Sequence, residues 1–412
     1  MFIGAIADDL TGASDLSLVL SRSGMKVVQV VGIPAPDLAT GDADAVVISL
    51  KSRTIPAAQA VEQSLASARV LLALGAQQII FKYCSTFDST DQGNIGPVTE
   101  ALMQLLGETR TIACPAFPAN GRRVYRGHLF VGDQLLSESG MKDHPLTPMR
   151  DANLPRVLQR QCNLPVSLVP HEVVADAAAL QAALDRLEGI AVVDALTDAD
   201  LRAIGQAARN MRLVTGSSGV ALGLPDNFLR GDVRSPGPAL RVSKGGAVIL
   251  AGSCSGATRG QVAKALAADV PAFRVDAMDI AEGRISVAEV LDFVLSARSG
   301  TPPLVYSSAN PASVQAVQSR LGRDRSGSLV EEFFGTLASD LLRQGVNRFV
   351  VAGGETSGAV VTALRVRALQ IGPEIAPGVP WTCTPDRKLA LALKSGNFGA
   401  DDFFLKAWDL LP

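Results

Sequence analysis

The sequence predicts an α/β protein that consists of two α/β domains with mainly parallel sheets and an active site in the cleft between them. Short β-branched segments alternate with amphipathic segments from the first residue, which is typical of βα units that build a parallel sheet. A segment rich in Pro and Gly interrupts this alternation at 224–246, and the alternation then resumes. The length of 412 residues corresponds to two or three domains of about 150 residues. We therefore predict a first domain over 1–232, a linker over 233–245 and a second domain over 246–412.

The first half of the chain is predicted to contain seven strands with helices between them. In Ala57–Leu74, for example, apolar residues recur at helical spacing. Pro115–Pro155 departs from the alternation, because it is rich in Gly, Pro, Asn and His and shows no clear periodicity. A segment of this kind is more often a functional loop than a spacer. The predicted strands are Phe2–Ala7, Lys26–Val31, Ala45–Leu50, Gln78–Lys82, Thr111–Cys114, Ile190–Asp194 and Arg212–Thr215.

The second half repeats the alternation of strands and helices. Its predicted strands are Ala247–Ala251, Leu304–Ser307, Arg348–Ala352 and Leu389–Lys394, and a last helix is predicted over Asp401–Leu410. Open α/β sheets bind ligands beyond the carboxyl ends of their strands. We therefore expect the functional residues in the turns that follow the strands.

The composition excludes several classes of protein. Hydrophobic residues make up 47% of the chain and charged residues 19%, as in globular proteins. The 38 basic and 40 acidic residues give a net charge of −2, so we expect neither nucleic acid nor an anionic membrane as a partner. No apolar segment reaches about 18 residues and no signal peptide is evident, which predicts a cytoplasmic protein. Five cysteines without a CxxC pair, and three histidines, argue against a disulfide framework or a thiolate zinc site.

Two adjacent carboxylates follow the first predicted strand. Asp8, Asp9 and Thr11 stand where a helix begins, and a turn of this kind can bind a polyol. Helix capping by Asp9 or Thr11 alone is the alternative interpretation. Since adjacent side chains diverge, we expect one carboxylate to face substrate and the other to cap the helix or orient Thr11, with a slight preference for Asp9 as the substrate-facing residue.

Two cations are expected at the same edge of the sheet. Arg53 follows the third strand, and Lys82 ends the fourth strand shortly before Asp88 and Ser89. An acidic small molecule fits this combination, because Arg53 can pair with a carboxylate and Lys82 can act as a point charge. The alternative is that Lys82 extends toward solvent and Asp88 caps a helix. The candidate catalytic residues are Asp9, Asp8 and Asp88, and the first candidate substrate-binding residues are Thr11, Arg53, Lys82 and Ser89.

The irregular segment adds three candidate substrate-binding residues, Asn120, Arg122 and His128. His128 and His144 are two of the three histidines in the chain, but no third ligand stands at a metal-binding spacing. Substrate hydrogen bonding or closure of a lid is therefore favoured over zinc binding.

Three turns rich in small residues follow strands of the second half. Backbone amides at such helix starts bind phosphate, although neither a P-loop nor a GxGxxG fingerprint is present. Tight packing of helix on strand is an equal alternative for the first turn taken alone. Together the three turns predict a nucleotide site. Its candidate residues are Ser255, Gly353, Gly354, Glu355, Thr356, Ser357, Gly358, Gly396, Asn397 and Gly399.

These segments together resemble the four-carbon acid sugar kinase family. The resemblance rests on ADDLTG, KYCSTFDST, GNIGPV, CPAFPANGR, GHLFVGD, AGSCSGAT, GGETSG and KSGNFG, which follow one another along essentially the whole chain. KYCSTFDST and HPLTPM are most similar to the branch of the family that acts on 3-oxo-tetronate.

The resemblance implies an acid-sugar-binding domain followed by an ATP-binding domain. The implied reaction transfers the γ-phosphoryl group of ATP to the terminal 4-hydroxyl of 3-oxo-tetronate. Phosphoryl transfer needs positioning and neutralisation of charge, so Mg²⁺ is expected, with Glu355 as the candidate ligand. The partners would be the acid sugar and ATP, and a homo-oligomer is left open.

Other activities remain as alternatives. A kinase of D-threonate or D-erythronate is the nearest one. A nicotinamide-dependent oxidoreductase is less favoured, because the second half lacks GxGxxG and its acidic partner. A sensor without catalytic activity is less favoured again, because no basic DNA-binding patch accompanies it.

Overall fold

The computed structural model describes residues 1–34, 40–144, 146–229, 242–297, 301–307, 315, 317 and 319–411. The chain forms two compact units, Met1–Gly237, here the N-terminal unit, and Pro238–Pro412, here the C-terminal unit. Most of the predicted linker, 233–241, lies outside the described residues. The predicted α/β class with mainly parallel sheets is confirmed in both units.

The N-terminal unit is built on a parallel sheet in the order β2-β3-β1-β4-β11-β5-β10-β9. Its strands are β1 (Ile3–Ala7), β2 (Val27–Val31), β3 (Ala45–Ser49), β4 (Gln78–Lys82), β5 (Arg110–Cys114), β9 (Val166–Val169), β10 (Gly189–Val193) and β11 (Leu213–Gly216). The seven predicted strands correspond to all of these except β9. That strand is four residues long between Pro165 and Pro170, too short for a clear periodicity.

Seven helices of the described residues accompany this sheet. They are α1 (Leu10–Arg22), α2 (Ala57–Ala73), α3 (Ile95–Leu106), α4 (Leu154–Gln159), α5 (His171–Val174), α6 (Ala177–Asp185) and α7 (Asp198–Ala207). Helix α1 is buried from Leu10 to Leu20, and all five residues of β1 and of β3 are buried. Complete burial of β1 and β3 indicates that both of their faces are covered, which explains why these strands are apolar throughout rather than alternating. The turns after β1, β3 and β4 are thereby attached to a rigid core.

The segment predicted as irregular contains a small antiparallel sheet, which corrects that prediction. Strands β6 (Arg122–Tyr125), β7 (His128–Val131) and β8 (Gln134–Leu135) pair in the order β6-β7-β8. The turn between β6 and β7 is stabilised from a distant part of the chain. Asp194, which follows β10, accepts hydrogen bonds from the backbone amides of Arg126 and Gly127. Both turn residues have positive φ angles, which glycine tolerates and arginine adopts less readily.

The C-terminal unit has a mixed sheet in the order β13-β14-β12-β15-β18-β17-β16. Its strands are β12 (Gly246–Ala251), β13 (Ala272–Arg274), β14 (Leu304–Tyr306), β15 (Val346–Ala352), β16 (Ala368–Ala376), β17 (Val379–Cys383) and β18 (Ala390–Lys394). Strand β17 pairs antiparallel with both β16 and β18, and the remaining pairs are parallel. The hairpin of β16 and β17 was not predicted.

Six described helices belong to the C-terminal unit. They are α8 (Gly256–Ala267), α9 (Ala277–Ala281), α10 (Val287–Ser296), α11 (Arg323–Arg343), α12 (Gly354–Ala363) and α13 (Phe403–Lys406). The predicted last helix is shorter than expected, because α13 ends at Lys406 and Ala407–Leu410 forms a 3-10 turn. Trp381 of β17 is fully buried and its indole N–H donates to the Ala407 carbonyl at 2.7 Å, which attaches this turn to the sheet.

Among the described helices, none is long and apolar enough to span a membrane.

Candidate active site

The parallel strands β3, β1 and β4 are neighbours, and the turns beyond them bring five charged residues together. We call these residues, Asp8, Asp9, Arg53, Lys82 and Asp88, the Arg53 cluster. The Arg53 guanidinium donates to both carboxylate oxygens of Asp8, at 2.9 and 2.7 Å. It also lies 2.8 Å from Asp9 Oδ1 and 3.6 Å from Asp88 Oδ2. Lys82 Nζ lies 3.7 Å from Asp9 Oδ1. Three carboxylates therefore share two cations.

The two adjacent aspartates differ in proton affinity. Burial raises the pKa of the Asp8 carboxyl, against the opposing effect of the Arg53 charge. Burial also acts to raise the pKa of Asp9, but Arg53 and Lys82 outweigh it and hold that pKa at about 2. A carboxylate with so low a pKa is a weak base. Since a general base works best with a pKa near the working pH, Asp9 is poorly suited to that role.

Asp9 also caps helix α1. Its Oδ1 accepts the Gly12 amide at 3.1 Å and its Oδ2 accepts the Thr11 hydroxyl at 2.8 Å. The sequence analysis preferred Asp9 as the substrate-facing residue and gave the capping role to the other aspartate. The structure instead gives Asp9 the capping contacts and gives Asp8 the two-pronged contact with Arg53.

Asp88 has the carboxylate oxygen with the fewest contacts in the Arg53 cluster. Its Oδ1 accepts the Thr86 hydroxyl at 2.6 Å, whereas the one polar contact of Oδ2 with the described residues is the 3.6 Å contact with Arg53. Phe87 and Asp88 both adopt positive φ angles, 65° and 42°. Left-handed backbone at residues other than glycine costs on the order of 1–3 kcal/mol and is frequent at functional sites. The buried Phe87 ring, which packs edge-on against Tyr83 with centroids 5.6 Å apart, holds this conformation in place.

Two side chains that the sequence analysis did not name support this region. Asn94 donates from its amide to the carbonyls of Ser52, Arg53 and Ile55, at 2.7, 3.2 and 2.9 Å, and so fixes the turn that carries Arg53. Gln161 donates to Ser89 Oγ at 3.0 Å. The Ser89 hydroxyl is therefore engaged within the protein. Both contacts join segments about 40 to 70 residues apart, and no local sequence pattern reports them.

Gly12 is required by the close approach of Lys82. A Cβ atom at Gly12 would lie 1.8 Å from Lys82 Nζ and 2.2 Å from Asp9 Oδ1. Any side chain here would displace a buried ammonium group and the capping carboxylate together. The glycine of ADDLTG therefore leaves free the space that the Lys82 and Asp9 side chains of the Arg53 cluster occupy.

Asn120, Arg122 and His128 lie around the small antiparallel sheet. The Arg122 guanidinium donates to the Asn120 carbonyl. Asn120 Nδ2 and Arg122 Nε are buried and, among the described residues, have no hydrogen-bond partner. His128 Nδ1 lies 2.9 Å from the Arg126 carbonyl. Within the described residues, no hydrogen bond or ion pair joins these three residues to the Arg53 cluster.

The three small-residue turns of the C-terminal unit converge, because β12, β15 and β18 are adjacent parallel strands. Ser255 caps α8 by accepting the Thr258 amide at 3.2 Å, and it donates to the Gly396 carbonyl at 2.6 Å. A Cβ atom at Gly396 would lie 2.2 Å from Ser253 Oγ, so the first and third turns are in direct contact. Gly353, with a φ of 125°, precedes α12.

The residues Gly354 to Gly358 form the start of α12. Glu355 is exposed in the first turn of this helix, whereas Thr356 and Ser357 are buried. Among the described residues, no group of three or more His, Cys, Asp or Glu side chains could hold a metal ion. A Mg²⁺ ion bound by one carboxylate, phosphate oxygens and waters does not require such a group, so Glu355 fits that role.

The two units match two known domain families. Residues 3–224 match the sugar-binding N-terminal domain, and residues 248–404 match the nucleotide-binding C-terminal domain. A 3-oxo-tetronate kinase of Cupriavidus necator is 54% identical over 98% of this chain and 96% of its own. The chain belongs to the four-carbon acid sugar kinase family. The resemblance described from the sequence motifs is thereby confirmed.

Another curated relative and two solved structures are also similar to this chain over nearly its full length. A 3-oxo-tetronate kinase of Burkholderia multivorans is 55% identical, over 98% of this chain and 96% of its own. One solved structure is that of a Salmonella typhimurium LT2 protein, which is described as a proposed tRNA synthase. It has 42% sequence identity and a TM-score of 0.88, and the match covers 100% of this chain and 99% of that chain. A Haemophilus influenzae protein has 41% identity and a TM-score of 0.79, with 99% and 100% covered.

Proposed function

We propose that this protein is an ATP-dependent kinase that phosphorylates the terminal 4-hydroxyl of 3-oxo-tetronate and forms 3-oxo-tetronate 4-phosphate. The observation that carries the proposal is the similarity along nearly the full chain to curated 3-oxo-tetronate kinases, which reaches 55% identity. The proposal is also supported by the charged residues of the Arg53 cluster at the strand ends of the N-terminal unit and by the small-residue turns at helix starts in the C-terminal unit. Since ATP is the donor, the proposed activity belongs in the cytoplasm.

In this proposal the Arg53 cluster orients the 4-hydroxyl of the substrate and accepts its proton. Asp88 is the favoured proton acceptor, because its Oδ2 accepts no hydrogen bond from the described residues and Thr86 fixes its other oxygen. Asp9, with a pKa of about 2 and contacts to both oxygens, is better suited to holding Lys82 and Arg53 in place. In a loose phosphoryl-transfer transition state, the carboxylate mainly has to orient the hydroxyl.

The acid sugar brings its own carboxylate, which needs donors that the protein has not already used. Arg53 is engaged by three carboxylates, so a fourth would compete with them. Arg122 Nε and Asn120 Nδ2 are buried donors without a partner among the described residues, and such groups are rare in folded proteins unless a ligand or water satisfies them. We propose that they bind the substrate carboxylate, and that Lys82 contacts neighbouring substrate oxygens.

The nucleotide site is proposed at the three turns of the C-terminal unit. The ten-residue helix α12 presents amides at its start, where phosphate binding is favoured by unpaired N–H groups and by the helix dipole. Ser255, Gly396, Asn397 and Gly399 complete the proposed phosphate and ribose contacts. Glu355 would hold Mg²⁺, which supplies neutralisation of phosphate charge when bound.

The test is a measurement of ADP release with 3-oxo-tetronate, D-threonate and D-erythronate, each with and without Mg²⁺. We expect Mg²⁺-dependent turnover that is fastest with 3-oxo-tetronate, and a product with phosphate on the 4-oxygen by ³¹P NMR. Faster turnover of a reduced tetronate would reassign the substrate. Oxidation of NADH or reduction of NAD⁺ without ADP release would overturn the proposal.

A further inference from the structure

Lys394, the last residue of β18, is a buried lysine that the proposed function has not used. Its side chain is fully buried, and no ion pair to it is found within the described residues. Burying an ammonium group without a carboxylate is costly, because water no longer solvates the charge. At such a position a lysine stabilises the folded protein less than a leucine or methionine of similar length would. Its polar contacts are therefore the first indication of its role.

The amine of Lys394 contacts two of the three nucleotide turns. Nζ donates to Thr258 Oγ1 at 3.1 Å, to the Ser395 carbonyl at 3.1 Å and to the Gly396 carbonyl at 3.2 Å. Thr258 lies in the first turn of α8 and donates its own hydroxyl to the Gly396 carbonyl at 2.8 Å. Three donors, from Ser255, Thr258 and Lys394, thus meet at one carbonyl oxygen.

The backbone of Lys394 contacts the remaining turn. Its carbonyl accepts the Gly353 amide at 2.9 Å, directly before the start of α12. The turns after β12, β15 and β18 are therefore all bonded to one residue. Removal of its amine would leave the Gly396 carbonyl bonded to the start of α8 through Ser255 and Thr258 alone.

We propose that Lys394 is the positioning residue of the nucleotide site, which holds the three turns together and supplies a buried positive charge behind the bound polyphosphate. This inference rests on the proposed function, because it assumes that a nucleotide binds at these turns. The hydrogen-bond geometry carries it, since one side chain bridges elements that start more than 100 residues apart in the chain.

The proton affinity of Lys394 gives the proposal a distinctive readout. Burial lowers the pKa of Lys394 to about 7. Charged residues on the elements packed against it are Arg259 and Lys264 on α8, Arg348 on β15, Glu355 on α12, and Asp401, Asp402 and Lys406 around α13. The lowered pKa is caused by burial rather than by these charges. An anion bound at the turns favours the ammonium form, so nucleotide binding and proton uptake are thermodynamically linked.

The experiment compares the full-length protein with Lys394→Met, Lys394→Arg and the control Lys388→Met, whose exposed lysine pairs with Asp386. Calorimetric titration with ADP at about pH 8, in two buffers with different ionisation enthalpies, reports the protons exchanged. We expect the wild type and Lys388→Met to take up a large fraction of one proton. Lys394→Met should take up none and should raise KM for ATP by about 10- to 100-fold, the usual effect of a lost charge-assisted contact. Lys394→Arg should keep part of the affinity without proton uptake, because arginine stays charged.

The outcomes separate this inference from the proposed function. Wild-type protein that binds ADP without proton uptake, or Lys394→Met with an unchanged KM for ATP, overturns the role of Lys394 alone. Wild-type protein that neither binds ADP nor releases it from ATP overturns the proposed function. If Lys394→Met does not fold, the wild-type proton measurement still decides the question.

Discussion

Replacement of Gly12 by alanine tests the steric construction of the Arg53 cluster. In an ordinary helix this change is favourable by about 1 kcal/mol, because glycine is the poorer helix former. At Gly12, however, the new Cβ would lie 1.8 Å from Lys82 Nζ and 2.2 Å from Asp9 Oδ1. Ordinary contact begins near 3.4 Å, so the ammonium group has to move by roughly 1.6 Å.

The expected cost follows from the contacts that such a movement breaks. Losing the Asp9 cap costs about 0.5–2 kcal/mol, and disturbing buried Lys82 adds a further cost of similar size. After the helix-propensity gain is subtracted from the sum of the two costs, we expect Gly12→Ala to lower the free energy of unfolding by about 0–3 kcal/mol, with a midpoint near about 1.5 kcal/mol. Misplacing catalytic groups by about 1 Å can reduce turnover about 100-fold, so we expect a loss of kcat of that order.

The matched control is Gly327→Ala in helix α11, where the nearest atom to the new Cβ is Glu331 Oε1 at 3.8 Å. It should raise the free energy of unfolding by about 0.5–1 kcal/mol and leave kcat unchanged. Urea denaturation gives the stabilities, and a coupled ADP-release assay gives the rates. If Gly12→Ala is as stable and as active as Gly327→Ala, the proximity of Lys82 to Gly12 has no functional meaning and the reasoning fails.

Three further predictions concern single residues of the two sites. Asp88→Asn should lower kcat by about 10²–10⁴-fold with ADP affinity unchanged, and a larger loss in Asp9→Asn by the same rate assay would return the proton acceptor to Asp9. Gly354→Val should raise KM for ATP and leave the thermal transition in place, because a Cβ at Gly354 meets no protein atom within 4 Å; an unchanged KM would move the phosphate contact elsewhere. Between about pH 7 and 10, Lys394 is protonated in the unfolded chain but largely deprotonated in the folded protein. The free energy of unfolding of the wild type, measured by urea denaturation, should therefore rise with pH relative to that of Lys394→Met, by up to about 1.4 kcal/mol per pH unit. Parallel pH profiles of the two proteins would contradict the lowered pKa.

The position of the Arg53 cluster could be predicted because each parallel strand, and the polar residues that follow it, can be recognised from a short segment of sequence. Each of β1, β3 and β4 is a short apolar segment followed at once by polar residues, and neighbouring parallel strands end at the same edge of a sheet. Knowing that Asp8, Arg53 and Lys82 follow or end such strands is enough to expect them together. No knowledge of side-chain contacts is needed for that step.

The roles within the cluster could not be predicted in the same way. Whether Asp8 or Asp9 caps α1 depends on a difference of one residue in where the helix begins, and sequence patterns do not resolve helix ends to that precision. The Asn94 and Gln161 contacts likewise connect segments far apart in the chain. A side-chain amide gives no local pattern that names its distant partner.

Lys394 shows a more general reason why sequence reasoning fails at this kind of site. The segment KSGNFG attracted attention through its small residues, whereas a lysine at the end of a strand is normally expected to reach solvent. Its burial results from Phe403, whose ring centroid lies 6.0 Å from Nζ, and from the first turn of α8, which begins nearly 140 residues earlier. The glycines around Lys394 let the backbone turns come close enough for one amine to contact them. The small residues therefore provide the space in which Lys394 is buried. The sequence pattern shows these small residues but gives no sign that the lysine beside them is buried.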